Sequence, residues 1–193
     1  MGKTEYAFGD MAIRHSTEAD LPAMMKIYVT ARRFMAEHGN PNQWGPTSWP
    51  PESLLRSDIE TGASYVCCCG GKIVGTFFFN VGPDVEPTYR DIQGGRWWDY
   101  SPYGVVHRLA GDGRTKGVGR TCIEWAFARC GHLRIDTHPD NIVMQRLLEK
   151  TGFKRCGIIH VKQDGMPRFA YEKSAQFGYD TKMFVPEPLK REK

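Results

Sequence analysis

The sequence predicts an α/β fold with helices packed on a sheet, and three observations predict it. Residues 104–110 read as a buried strand, 111–120 as a glycine-rich basic turn, and 121–129 place apolar residues at helical spacing. Residues 133–137 form a second short strand that leads into another helical stretch beginning near Asn141. Residues 65–69 and 72–80 pair around Gly70-Gly71 as a hairpin. Strands alternating with helices must share one layered core.

The remaining elements follow in order. Residues 11–14 read as a first short strand. Thr17 to Asp20 resembles a capping box, with Asp in place of the usual Glu. The helix it starts carries Leu21, Met24, Met25, Tyr28 and Val29 on one stripe and runs to about Glu37, where His38-Gly39-Asn40-Pro41 stops it. A loop rich in proline and tryptophan follows. Pro51 then opens a second helix, Glu52–Glu60, which Gly62 ends. Residues 81–103 hold no long periodic element, and their aromatic content argues against disorder. Residues 154–161 and 167–173 read as a closing strand pair around Gln163-Asp164-Gly165. Of the last twenty residues, Phe177, Tyr179, Met183 and Phe184 are expected to dock on the body. No repeat or second domain is visible, so residues 1–193 are expected to form a single domain, with a core at about 11–173 and a C-terminal extension at 174–193.

Composition narrows the function classes. With 40% hydrophobic and 12% aromatic residues, the chain can bury a core and is too apolar for disorder. The formal charge of +4 is mild and the basic residues are scattered, which argues against a nucleic-acid binder. No apolar run approaches bilayer length, and Met1 to Tyr6 lacks the apolar core of a signal peptide, so a cytoplasmic location without membrane contact is expected. Cys67, Cys68 and Cys69 alternate faces on a strand, and Cys122, Cys130 and Cys156 lack C-x-x-C spacing. Reduced thiols and no metal are therefore expected. Composition leaves the oligomeric state, including a homodimer, open.

The glycine-rich turn carries the functional signal. Glycine permits positive φ and close backbone approach, and a helix start presents unpaired N–H groups. Together they make an anion site, reinforced here by Arg114, Lys116 and Arg120. A G-x-G-x-x-G fingerprint fails, because Lys116 stands where the third glycine belongs after Gly111 and Gly113; starting at Gly117 it fails at Cys122. A Walker A loop fails because Lys116 precedes Gly117. What remains is Arg114-x-x-Gly117-x-Gly119 entering a helix. It resembles the acetyl-CoA loop of the GNAT (Gcn5-related N-acetyltransferase) superfamily, Arg/Gln-x-x-Gly-x-Gly/Ala. Asn141 to Phe153, with Leu147-Leu148-Glu149-Lys150-Thr151-Gly152-Phe153, resembles that family's Asn-x-x-Ala-x-x-Leu-Tyr-Glu-Lys-x-Gly-Phe segment. The two matches stand in the family's order with the right elements between them, and the resemblance spans roughly residues 11–173.

The resemblance implies a mixed, mostly antiparallel sheet of about six to seven strands flanked by about four helices. Its two central parallel strands, residues 105–110 and 133–137, would splay to admit the pantetheine arm of acetyl-CoA, the co-substrate. Backbone groups of Leu109 and Ala110 would pair with that arm. Amides of Arg114, Thr115, Lys116, Gly117, Val118 and Gly119 would hold the diphosphate, with Arg120 adding charge. Asn141 would contact the coenzyme, and Asp140 or Asn141 would cap the following helix.

The implied activity is N-acetyl transfer, most simply to a primary amine of a small molecule. The tyrosine that many family members use as general acid is Leu148 here, leaving Tyr103 and Tyr171 as substitutes. Residues 103–108 hold no carboxylate to act as base. His107 shares strand parity with Tyr103 and Val105 and can relay a proton near neutral pH, or can be a hydrogen-bonded core histidine. Asp99 is a second candidate. His138, before Pro139, either lines the cleft or caps a turn, and the turn is the favoured reading. Trp44, Trp97, Trp98, Tyr100 and Tyr103 would line the acceptor mouth, with Glu37 and Asp99 holding an ammonium. Three alternatives stand beside this reading: a peptide, protein or aminoacyl-tRNA amine as acceptor, a degenerate acyl-CoA sensor, and a plain nucleotide-binding module.

Overall fold

A computed structural model describes residues 10–176 except 46 and 163. Phe177, Tyr179, Met183 and Phe184 lie outside the described residues, as does Gln163 of the expected closing turn.

Each expected element is present, with ends shifted by no more than three residues. In chain order they are β1 (Met11–His15), α1 (Leu21–Glu37), α2 (Glu52–Glu60), β2 (Ser64–Cys69), β3 (Lys72–Gly82), β4 (Tyr103–Gly111), α3 (Val118–Cys130), β5 (His132–Thr137), α4 (Ile142–Lys150), β6 (Lys154–His160) and β7 (Pro167–Ser174). The seven strands form one sheet in the order β1-β2-β3-β4-β5-β7-β6. All neighbours are antiparallel except β4 and β5. No helix among the described residues is long and apolar enough to cross a membrane.

Strand alternation sorts the core into layers. Phe77, Val106, Ile135 and Tyr171 face α3 and α4, where they meet Val118, Cys122, Ile123 and Leu148. On the other side α1 and α2 bury Leu21, Met24, Ile27, Tyr28 and Leu55 against Val66 and Ala110. The buried stripe of α1 differs from the expected one: Ile27 and Met35 are inside, while Val29 is 57% exposed. At about 100° per residue Val29 stands about 140° around the helix from Met24, near the centre of the buried stripe, and so faces solvent.

The irregular stretch after β3 packs down as a third layer. Its turn Pro87–Arg90 and its tryptophans set Tyr89 and Trp97 against Tyr103, Val105, Cys156 and Ile159. Gln93 and Ile158 exchange backbone hydrogen bonds of 2.8 and 2.9 Å. Gly95 passes so close to β6 that a Cβ there would lie 1.9 Å from the carbonyl oxygen of Cys156.

Asp20 anchors the entry to α1. It accepts both guanidinium nitrogens of Arg14 at 2.7 and 2.8 Å, and the Thr17 N–H at 2.8 Å. The Arg14 hydrogen bond, opposed by burial and aided by Thr17, holds this carboxyl at about 2. A depressed carboxyl stabilises the fold above its unfolded value of about 3.9 and loses that contribution as pH falls toward 2. Asp20→Asn should therefore flatten the acid side of stability. The urea midpoint of the wild type should drop more steeply below about pH 4 than that of the variant. Parallel curves would contradict this account.

Candidate functional site

Parallel pairing of β4 with β5 is confined to Gly104–Leu133 and Val105–Arg134. Beyond that point the strands diverge, and a cleft of about 690 Å³ opens between their C-terminal ends. A bulge in β4 helps. Thr76 pairs with Ala110 and Phe78 with His107, so the intervening residues of the two strands do not match, and Arg108 takes a φ of +54°. The bulge turns the backbone of Leu109 and Ala110 along the cleft wall, away from a regular ladder.

One end of the cleft is the glycine turn. Gly117 has a φ of +86°, a conformation that favours glycine, and it caps α3. The first helical bond of α3 runs from Thr121 N to Gly117 O, so the N–H groups of Val118, Gly119 and Arg120 precede the ladder. A Cβ on Gly119 would lie 2.9 Å from Leu147, which is why α3 can start this close to α4. The N–H groups of Arg114 and Thr115, expected among the anion donors, instead donate to Asp112 Oδ1 at 2.9 and 2.8 Å. Leu109, Ala110, Arg114, Thr115, Lys116, Gly117, Val118, Gly119 and Asn141 all line the cleft. Arg120 does not: its guanidinium lies on the outer face of α3, 2.7 Å from Glu124. Asn141 caps α4 by accepting the Met144 N–H at 3.1 Å, and its amide donates to Gln43 Oε1 at 3.0 Å.

The other end holds His107. As alternation requires, it shares a face with Tyr103 and Val105, and its ring lies near Phe78 and Tyr89. His107 Nε2 is 3.0 Å from Glu86 Oε2, and Nδ1 is 3.7 Å from Asp136 Oδ1. Burial opposes ionisation of Glu86, but His107 and the N–H and hydroxyl of Thr88 overcome it and hold the carboxyl at about 2. Asp136 accepts the Tyr89 hydroxyl at 2.8 Å. Sequence reasoning found neither carboxylate. Glu86 lies in the aperiodic stretch, where nothing marks position. Asp136 did leave a signal, a charged residue between Ile135 and Thr137 in an otherwise buried strand.

Several expected site residues do not line the cleft. Asp99 is 4% exposed and accepts the Ser174 hydroxyl at 2.6 Å and the Ser101 N–H at 2.9 Å. Tyr103 and Trp97 are buried against the Arg134 guanidinium, 4.1 and 4.2 Å from their ring centres, and the Trp97 indole donates to Tyr89 O. Trp98 is half-buried, and its N–H donates to Glu172. Glu37 is exposed at the end of α1, and Tyr100 is exposed as well. Arg134 and Glu172 tie Trp97, Trp98, Asp99 and Tyr103 to the start of β5, away from its splayed end. Tyr171 is buried in the core, as is Leu148, and no tyrosine among the described residues lines the cleft. Trp44 does line it, together with Trp49, Phe34 and Met35, which the sequence reading did not single out as acceptor residues. His138 is the turn cap it was read as, its Nδ1 accepting the Asp140 N–H at 3.1 Å.

Comparison with known proteins identifies the fold. Residues 22–153 match the family model of the acetyltransferase (GNAT) family. A GNAT-family acetyltransferase from Streptococcus agalactiae is 28% identical, with a TM-score of 0.79 over 89% of this chain and 98% of its own. A putative acetyltransferase from Staphylococcus aureus shares the fold at 24% identity and a TM-score of 0.59, over 84% of this chain and 98% of its own. A ribosomal-protein-alanine N-acetyltransferase from Brucella melitensis does so at 21% and 0.55, over 84% and 98%. No curated protein matches the chain.

Proposed function

The chain belongs to the acetyltransferase (GNAT) family, and from that premise we propose that it transfers the acetyl group of acetyl-CoA to a primary amine of a small molecule. The observation that carries the proposal is the divergence of β4 from β5 after Val105 and Arg134, with unpaired helix-start amides at one end and a histidine between two carboxylates at the other.

The residues present suit the coenzyme. The N–H groups of Val118 and Gly119, the glycine at +86° and the nearby Lys116 would hold its diphosphate. Backbone groups of Leu109 and Ala110 would pair with the amides of its arm. Acetyl-CoA supplies an acyl carbon whose bond to sulfur breaks as the bond to the acceptor nitrogen forms. The protein supplies the proton handling. Glu86 is ionised and accepts from His107 Nε2–H, so the neutral ring keeps its lone pair on Nδ1. Nδ1 takes the proton of the acceptor ammonium, and Asp136 stands beside it to stabilise the resulting imidazolium. The thiolate departs at the His107 end of the cleft, where its bond to the acyl carbon breaks, and the proton taken from the ammonium balances its charge. No tyrosine is assigned as its acid, because none lines the cleft among the described residues.

A small acceptor is favoured by the walls. Trp44, Trp49 and Phe34 close the mouth around a volume suited to a compact molecule.

The test combines acetyl-CoA titration with thiol release over an amine panel. The wild type should bind the coenzyme and release thiol with some acceptors. Gly117→Val forces a β-branched residue into a left-handed conformation, a strain of about 1–3 kcal/mol at the anion site, and should weaken acetyl-CoA binding about tenfold or more. Binding without thiol release would favour a sensor, and absence of binding would overturn the reading.

A further inference from the structure

Past His107 the cleft wall changes sign. Arg168, at the start of β7, and Lys162, in the turn between β6 and β7, both border it. Resting on the acetyl-transfer reading above, we propose that the acceptor carries a carboxylate as well as its amine, and that Arg168 holds that carboxylate. The substrate class is then amino acids or close derivatives that keep a free acid.

Strand parity places Arg168 on the acceptor side. Along β7, Arg168 shares a face with Ala170 and Glu172, and Ala170 pairs with Asp136. Arg168 therefore stands one step beyond Asp136 on the face that carries His107, opposite the face covered by α3 and α4. Its side chain is only 4% exposed, although it borders an open cleft. A guanidinium brings five N–H donors into that wall. Two bonds are made, to Asp164 Oδ2 at 2.6 Å and to the Pro167 carbonyl at 3.2 Å. Nε–H makes none among the described residues. A buried charge with donors to spare calls for an acceptor group, and a carboxylate matches the guanidinium edge in two parallel bonds.

A neighbouring side chain just behind the cleft wall has a buried donor without a partner among the described residues. Thr137 pairs with Phe169, so His138 is next in line to Arg168. Since His138 Nδ1 accepts the Asp140 N–H, the neutral ring carries its proton on Nε2. That nitrogen is buried and has no partner among the described residues. Lys162 adds a charge with no ion partner among the described residues, so the Arg168–Asp164 pair does not leave this end neutral. The cleft is thus polarised, with Glu86 and Asp136 at the end that receives an ammonium and Arg168 and Lys162 beyond it.

The experiment uses the full chain and acceptors in matched pairs, each amino acid beside its amide and beside the amine lacking the carboxylate, with thiol release as readout. Wild-type kcat/KM should favour the free acid about tenfold or more within each pair. Arg168→Gln should bring that ratio to within about twofold of one, mainly through KM, while the Kd for acetyl-CoA stays that of the wild type. Arg168→Lys should recover part of the preference. Should Arg168→Gln fail to fold, seen as lost acetyl-CoA binding, the wild-type ratios and Lys162→Gln, which should lower them, decide the matter. Equal rates within every wild-type pair, or a ratio unmoved by Arg168→Gln, overturn the carboxylate proposal and leave acetyl transfer standing. Coenzyme binding with no thiol release from any acceptor overturns acetyl transfer, and this proposal with it.

Discussion

Glu172→Ala should destabilise the protein by about 3–5 kcal/mol, a large share of the total that holds a domain folded. Glu172 is fully buried on β7 and serves four partners, the Cys156 thiol at 3.9 Å among them. Its Oε1 accepts His132 Nε2 at 2.9 Å and Arg134 Nε at 3.0 Å, and its Oε2 accepts the Trp98 N–H at 2.7 Å. Truncation leaves the Arg134 guanidinium, itself only 6% exposed, between the rings of Trp97 and Tyr103 with no carboxylate. The penalty comes from that uncompensated charge more than from the value of the pair. A double variant with Glu172→Leu and Arg134→Met should therefore be far less destabilised than Glu172→Ala alone. Guanidinium denaturation followed by tryptophan fluorescence checks both. A loss under about 1 kcal/mol for the single variant would show that water reaches Arg134 and that the interior is not as dry as drawn.

The same pair explains what the sequence could and could not show. The strands and helices were legible because local signals bound them: β2 and β3 flank the Gly70-Gly71 turn, and α3 begins directly after Gly117. The divergence of β4 and β5 was legible only through the resemblance, since no local pattern records which strands part. The placement of Asp99, Tyr103, Trp97 and Trp98 was not legible. It depends on Arg134 meeting Glu172 across 38 positions of sequence, a contact between strands that no window contains. Glu86 reaching His107 across 21 positions has the same character. Asp112 is different. Its bonds to Arg114, Thr115 and the Thr115 hydroxyl span two or three residues and form a local turn, so they were available to a reading of Asp-x-x-Thr. In the proposed complex they would leave the diphosphate to the amides after Gly117, a shift in the donor set toward the helix start.

His107→Ala should lower kcat by about 10²- to 10⁴-fold, the range for loss of a positioned base, while acetyl-CoA affinity holds. The reasoning separates two parts of the cleft. The coenzyme's proposed contacts are backbone groups of Leu109, Ala110 and the α3 start, which a side-chain truncation at His107 leaves in place. His107 sits on the far side, with Glu86 on one ring nitrogen and Asp136 near the other. Glu86→Gln then distinguishes a base from a packing residue. Glutamine can keep the contact but loses the charge that fixes the tautomer, so the rate should fall less than in His107→Ala and the pH dependence of kcat/KM should change. A histidine that only filled space would give the opposite pattern, a loss of stability in His107→Ala with little change in rate per folded molecule. Stopped-time assays of thiol release across pH, normalised to acetyl-CoA-binding sites, read the two apart. Full activity of His107→Ala with every acceptor would remove it from the chemistry. It would shift attention to Asp136, the carboxylate in the same cleft wall, which accepts the Tyr89 hydroxyl at 2.8 Å.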